Sequence, residues 1–332
     1  MRQAVKNEVK INVPVRADIA GGFSDIAYYL DKYQIKKGEV TNISLPVFLK
    51  ITARIDEENA NMVVELPDLG AQIEGDLSEL NKQDNDNVSQ IIKHFIQLFN
   101  LNISGLHISV DGGGKIPPAS GLGTSSAVGV GIIQSLSQLY GLHGVNPCEL
   151  NYLIELAMGV MGGKQDYYAA WVKGAGYYHF SGPDKSMVNL AGHFDENSKP
   201  YKWLSERIMI FYSGVSRSSG VANSEPEQKV DNDPNIVSRI AKVAGDAWEA
   251  IKNMDEDGMR SAITKDRENR SELSSVYYID TMRKMGSVAD KMGYAHRACG
   301  AGMGGCMLFF GDIQKHDELE QELKKIGGWR AC

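Results

Sequence analysis

No run of about eighteen apolar residues occurs in the chain, so nothing in it reads as a transmembrane helix. Its first residues, Met1-Arg2-Gln3-Ala4-Val5-Lys6, lack the apolar core of a secretory signal. Cysteine is scarce. Cys148, Cys299, Cys306 and Cys332 form no CxxC pair and no disulfide framework, so a reducing cytoplasm is the expected setting. Basic charge is lacking too: Lys and Arg number 35 against 42 Asp and Glu, a formal net charge of −7. That balance argues against a nucleic-acid partner, as the absent span argues against a membrane one. The seven histidines do not cluster, and none is assigned a role. Internal repeats, a long low-complexity linker and the Gly-Lys-Ser/Thr ending of a Walker loop are all missing.

What is present is substantial. The chain has 332 residues, 42% of them hydrophobic, enough for one large domain or two intimately joined ones. Val9, Ile11, Val13 and Val15 alternate as in a strand, and strands are also expected at Phe48–Ile55, Met62–Leu66, Leu106–Val110, Tyr177–Phe180, Ile208–Tyr212 and Met307–Phe310. Helical spacing predicts helices over Asn87–Asn100, Val128–Tyr140, Asn151–Met161, Pro234–Met254, Asp257–Ser271, Ser275–Met292 and Asp317–Ile326. Met282, Met285 and Met292 fall on such spacing and read as core filling. The polar stretch Ser219–Asp233 reads as a mobile loop. Strands followed by mixed helices and strands indicate an α+β fold.

The most informative segment is Ile116-Pro117-Pro118-Ala119-Ser120-Gly121-Leu122-Gly123-Thr124-Ser125-Ser126-Ala127, which runs straight into an apolar helix. Gly121 and Gly123 let the backbone bend and approach a ligand closely. Thr124, Ser125 and Ser126 place hydroxyls at the first helical turn, where free N–H groups and the positive end of the peptide dipole point outward. Together these make a nest for a di- or triphosphate.

Four further constellations carry chemistry. In Arg16 through Asp25, a strand-like run ends in Gly21-Gly22-Phe23-Ser24-Asp25. Arg16 is an always-charged donor suited to phosphoryl oxygens, and Asp25 an acceptor for substrate hydroxyls. Taken alone, this pair reads rather as a surface ion pair and a turn aspartate, and Asp18 as a solvated strand residue or turn partner. In Gly162-Gly163-Lys164-Gln165-Asp166-Tyr167-Tyr168, Asp166 follows a flexible Gly-Gly and suits the orienting of an attacking hydroxyl; the plainer reading is a helix N-cap. Glu155 lies eleven residues earlier and offers a second carboxylate for Mg²⁺ beside phosphate, or is a solvated helix acid. Tyr212 through Ser219 sets hydroxyls, Ser216 among them, beside Arg217, suited to a phosphate or polyhydroxylated ligand or else a plain loop. Finally, Cys299 through Cys306 holds four glycines in six positions, Gly302 included. It reads as turns that brace the nucleotide loop and substrate site rather than as a metal site.

Three of these motifs, in this order, resemble the GHMP kinase superfamily: Pro117–Ala127 its phosphate loop, Arg16–Asp25 its first motif, Arg297–Cys306 its third. Within it the chain is similar to sugar 1-kinases of the heptose and fucose type. Gly21-Gly22-Phe23-Ser24-Asp25 is similar to the Gly-Gly-Gly-Thr-Asp form of D-glycero-D-manno-heptose 7-phosphate kinases, departing at Phe23 and Ser24. The resemblance implies a two-layer α+β kinase fold. An N-terminal domain over residues 1–190 would have ribosomal-protein-S5-like topology, and a ferredoxin-like domain would cover 191–332, with the site in the cleft between. It implies ATP and Mg²⁺ as cofactors and Asp166 with Arg16 as the catalytic pair. Pro117, Gly121, Leu122, Gly123, Thr124, Ser125 and Ser126 would hold nucleotide, and Ser125, Ser126 and Glu155 the metal. Asp25, Gly22, Ser24, Lys164, Gln165, Ser216, Arg217 and Gly302 would contact substrate. Lys164, Arg217 and Arg297 are candidates for a phosphate already on that substrate.

The expected activity is ATP-dependent phosphorylation of a small sugar or sugar phosphate, with the anomeric hydroxyl as acceptor. A mevalonate- or homoserine-type kinase and a non-catalytic sugar and ATP sensor are the alternatives. The exact sugar and the choice between monomer and homo-oligomer stay open.

Overall fold

The computed structural model describes residues 1–81, 87–117, 119–181, 188–216 and 225–332. Seven strands form the first sheet: β1 (Glu8–Ala20), β2 (Lys37–Ile55), β3 (Met62–Leu66), β4 (Ala71–Gly75), β5 (Leu106–Asp111), β6 (Ala175–Ser181) and β7 (Val188–Phe194). Their order is β4-β3-β5-β2-β6-β7, with β1 paired to β2, and every pair is antiparallel except β3 with β5. The expected boundary at 190 falls inside β7, and the first sheet runs to Phe194.

β1 determines where the chemistry sits. From Val13 onward every residue of it is buried, because both its faces are covered. Its ladder with β2 slips twice. One slip lies between Pro14 and Arg16, near Pro46 of β2, which has no N–H to give. There the Arg16 N–H donates to the Leu122 carbonyl, pulling the glycine loop onto the strand. The other slip, between Asp18 and Ala20, leaves the Ile19 carbonyl to accept from the Arg297 side chain.

The helix Thr124–Leu139 packs along β1 and β2 and is buried on nearly every side. Gly131 makes this possible: a Cβ there would lie 2.2 Å from Ile51 and 2.7 Å from Val13. Helices Asn235–Asn253 and Glu256–Leu273 follow the first sheet in sequence yet pack on it. The Thr41 hydroxyl donates to the Ala244 carbonyl, and Trp248 stacks on Phe194 and Tyr177. The second sheet contains β8 (Ile208–Tyr212), β9 (Ala295–Ala298), β10 (Cys306–Phe310) and β11 (Trp329–Arg330), in the antiparallel order β11-β8-β10-β9. Met209, Phe211, Met307 and Phe309 point to one face, with Met282, Met285, Leu319 and Leu323 of the helices Asp280–Lys291 and His316–Ile326. Ile208, Ile210, Leu308 and Phe310 turn the other way, into the main core.

The structure corrects two local expectations. Within 219–233, residues 219–224 lie outside the described ones, but Glu225–Asn232 is a helix, not a loop. Its start signal was present, a proline and two glutamates in the first turn. Its stability comes from outside: Glu227 and Asp231 bond Tyr28, Tyr33 and Lys32, and Val230 enters a core with Leu30 and Ile236. The helix expected from Ser275 begins at Asp280, because Tyr277 and Tyr278 are drawn aside to bond β9, through the Ala298 carbonyl and N–H. Short elements without a full period were missed, among them the helices Ala27–Lys32, Gln165–Val172 and Lys199–Arg207. Among the described residues, no helix is long and apolar enough to cross a membrane.

Candidate active site

The glycine loop ends at Gly123, which caps the helix Thr124–Leu139 in the left-handed region at φ +69°. Among the described residues no side chain caps this helix, and no acid lies in its first turn. Its N–H groups and dipole are therefore left for an anion. The loop is anchored from behind. The Cys306 N–H donates to the Ser120 carbonyl, the Cys299 N–H to the Cys306 carbonyl, and a Cβ on Gly121 would fall 2.5 Å from the Cys299 carbonyl oxygen. The segment 299–306 thus braces the glycine loop. Pro117 is buried at the loop's start, Leu122 is buried in the core, and Pro118 lies outside the described residues.

Arg16 joins the loop to the acid. Its Nε donates to Asp166 Oδ1 at 2.7 Å, its Nη2 lies 2.6 Å from the same oxygen, and its Nη1 donates to the Gly121 carbonyl at 2.7 Å. Burial would lower the guanidinium's pKa, but the charges of Asp166 and Asp18 outweigh it and hold it above its ordinary value. Asp166 is the second residue of the helix Gln165–Val172, not its cap, and stays partly exposed.

Beside the pair opens a cleft of about 150 Å³, lined by Arg16, Asp18, Phe23, Asp25, Gln165, Asp166 and Arg270 among others. Asp25 accepts the N–H groups of Gln165 (3.0 Å) and Phe23 (3.2 Å). Burial pushes its carboxyl up to about 6; the Gln165 N–H opposes that shift, and the charges of Asp166 and Asp18 add to it.

Glu155 is buried, not solvated. It accepts from the Tyr167 hydroxyl at 2.7 Å and from Asn87 Nδ2 at 3.4 Å, and the same amide nitrogen reaches Ser125 Oγ. Burial raises its pKa, against those two hydrogen bonds. Among the described residues, Asn87 Oδ1 is buried without a hydrogen-bond partner. An orphan amide oxygen, a hydroxyl and one carboxylate are hard oxygen donors, a set that fits Mg²⁺ shared with phosphate oxygens. Among the described residues no group of three or more His, Cys, Asp or Glu side chains forms an all-protein metal cage.

Several expected contacts are placed elsewhere. Asp18 is 1% exposed and pairs with Arg297 at 3.0 Å, so it is no solvated strand residue. Arg297 is wholly buried between Asp18 and Asp266 (2.7 Å), which leaves it no face for a substrate phosphate. The Lys164 ammonium meets Glu149 at 2.5 Å over the Tyr152 ring, outside the lining of the cleft. Ser24 is fully buried and spends its hydroxyl on the backbone of Gly21 and Glu39, so it braces the turn. Gly22 packs on Asp18 and gives its carbonyl to Arg270. Gly302 rests on the Tyr277 carbonyl, while Gly300 and Ala301 line the cleft in its stead. Ser216 is exposed and bonds the Tyr212 hydroxyl; Arg217 lies outside the described residues. Gln165 lines the cleft. Sequence reasoning passed over Asp266, Arg270 and Asn87. The first two were visible as charges in a buried stripe, Met259-Ala262-Ile263-Asp266-Arg270-Leu273.

Residues 86–174, which hold the phosphate loop, Glu155 and Asp166, match the family described as GHMP kinases N terminal domain. The chain carries a GHMP kinase N-terminal domain. Among curated relatives, the D-glycero-alpha-D-manno-heptose 7-phosphate kinase of Campylobacter jejuni is 25% identical over 97% of this chain and 94% of its own. The mevalonate kinase of Methanocaldococcus jannaschii is also 25% identical, over 85% of this chain and 89% of its own. A solved D-glycero-D-manno-heptose 1-phosphate kinase from Bacteroides thetaiotaomicron superposes with a TM-score of 0.75 at 19% identity, covering 97% of this chain and 94% of that one. Both sheets and the helices between them therefore form the GHMP kinase fold.

Proposed function

We propose that the chain is an ATP-dependent sugar kinase that phosphorylates a small sugar or sugar phosphate at its anomeric hydroxyl. One observation carries this reading: a single guanidinium, Arg16, holds both the Asp166 carboxylate and the Gly121 carbonyl of the phosphate loop. The acid that meets the acceptor and the loop that meets the donor are thereby fixed to each other within hydrogen-bond tolerance.

In this reading Asp166 orients the acceptor hydroxyl and draws on its proton. Arg16 holds the Asp166 carboxylate in place and faces the charge developing on the transferred group. Asp25 accepts from neighbouring hydroxyls of the sugar. The free N–H groups of the Thr124–Leu139 helix and the hydroxyls of Thr124, Ser125 and Ser126 cradle the β- and γ-phosphates of ATP. Ser125, Ser126 and Glu155 would hold Mg²⁺, which supplies charge neutralisation for the phosphates.

The test is ADP release with Mg-ATP across heptose 7-phosphate, mannose, fucose, galactose, N-acetylhexosamines, mevalonate and homoserine. Turnover is expected on one sugar, with kcat falling roughly 10²–10⁴-fold in Asp166→Ala. Turnover confined to mevalonate would move the acceptor to the class of the M. jannaschii relative, and turnover confined to homoserine to an amino-acid alcohol. Sugar binding without ADP release would make the protein a sensor.

A further inference from the structure

The cleft at Asp166 continues into a second chamber of about 270 Å³. Phe23, Ile26, Arg270 and Ala301 line both spaces, so Arg270 stands in their common wall. The rest of the second chamber is mostly aromatic or apolar, with Tyr28, Tyr29, Met161 and Tyr277 prominent. Arg270 is the one charged side chain among the described residues that line it.

Arg270 is 6% exposed. Its terminal nitrogens donate to the carbonyls of Gly22 (2.5 Å) and Gly300 (2.8 Å), and the rings of Phe23 and Tyr277 lie 5.7 and 5.1 Å from its guanidinium carbon. These contacts fix the group in place without cancelling its charge. Among the described residues, its Nε is buried with no hydrogen-bond partner and no carboxylate lies within ion-pair distance of it. Asp266, one helical turn away, gives its carboxylate to Arg297 and to the Gly21 N–H. Asp266 still acts on Arg270 through its charge, but a buried guanidinium with an unused donor and no direct ion pair is an unfavourable arrangement until an oxyanion completes it. The other basic residues near the site do not meet that need, since Lys164 is matched by Glu149 and Arg297 by two aspartates.

We infer that Arg270 selects acceptors bearing an oxyanion, phosphate or carboxylate, remote from the hydroxyl that reacts. This inference rests on the kinase reading. The acceptor spans both spaces: its reacting hydroxyl lies at Asp166, its carbon frame against Phe23, and its acidic end at Arg270 in the second chamber.

The test compares D-glycero-D-manno-heptose 7-phosphate with the unphosphorylated heptose, and mevalonate as the carboxylate arm, in the wild type, Arg270→Lys and Arg270→Gln. The wild type is expected to prefer the phosphorylated sugar in kcat/KM. That preference should shrink at least tenfold in R270Q, mainly through KM, and recover in part in R270K. The preference is a ratio within each protein, so it is insensitive to how much of a variant folds. A ratio unchanged in R270Q, or a wild type indifferent to the phosphate, overturns the inference and leaves the kinase reading standing. Turnover by the wild type on mevalonate alone, lost tenfold or more in R270Q, assigns the oxyanion as a carboxylate. If the wild type turns over nothing, the kinase reading fails instead. Calorimetry of heptose 7-phosphate against the three proteins then decides on Arg270: binding lost in R270Q supports its role, while equal or absent binding throughout overturns it.

Discussion

Arg297 Nη2 meets Asp18 Oδ2 at 3.0 Å, tying the second sheet to the first strand of the first across nearly the whole sequence. With Asp266 on its other side and Asp266 bonded to the Gly21 N–H, this pair closes the back of the Gly21-Gly22 turn. Removing the cation leaves two buried carboxylates uncompensated. Arg297→Met is therefore expected to cost about 3–5 kcal/mol of stability, and urea denaturation reads it directly. A loss under about 1 kcal/mol would mean that solvent reaches the pair.

Asp25 gives a pH signature whose sign follows from its environment. Its carboxyl is raised to about 6 in the folded chain, so the folded state binds a proton there more tightly than the unfolded state does. The stability this contributes is fully present below the ordinary carboxylate range and is lost as pH rises through about 6. Asp25→Asn removes the dependence. Between pH 4 and pH 7 the variant should gain on the wild type by up to about 3 kcal/mol, the equivalent of some two pKa units. Denaturation of both proteins at several pH values measures it, and parallel curves would refute it.

Gly121 sits at φ +76° with the Cys299 carbonyl oxygen where a Cβ would go. An alanine there must push the phosphate loop off the segment that braces it, and must also adopt a left-handed backbone. Gly121→Ala is expected to raise KM for ATP tenfold or more while the acceptor's KM moves little. Gly113→Ala is the control: it too has positive φ, but with nothing within 4 Å of the added carbon and a place outside the site. Equal effects of the two on KM for ATP would show that backbone strain alone, not displacement of the loop, accounts for the change.

How much was legible in the sequence follows from how local each signal is. Gly121 and Gly123 act through their own backbone, so the turn and the helix behind it could be read directly. The alternation of Val9 through Val15 and the spacing of Asn87–Asn100 gave their elements for the same reason. The fates of Asp18, Arg297 and Lys164 could not be read. Each depends on a partner brought near by folding: 279 positions away for Asp18 with Arg297, and 15 for Lys164 with Glu149. Ser24 shows the same limit in miniature, for its hydroxyl is spent on a backbone turn that only the paired β2 completes. Asp266 and Arg270 lie between these cases, visible as charges where the helix should be apolar but without a stated purpose until the cleft is built around them.

The anchoring of the phosphate loop carries a consequence for the order of events in synthesis. Asp166, Asp25 and the glycine loop all precede Cys299 and Cys306 in order of synthesis, yet the loop is latched by Cys306 and squeezed by Cys299. A growing polypeptide that has exposed all three still lacks the clamp that gives the loop its shape. The loop therefore takes its final shape only when the second sheet closes behind it, so a chain still lacking that sheet has the residues of the cleft but not their fixed arrangement.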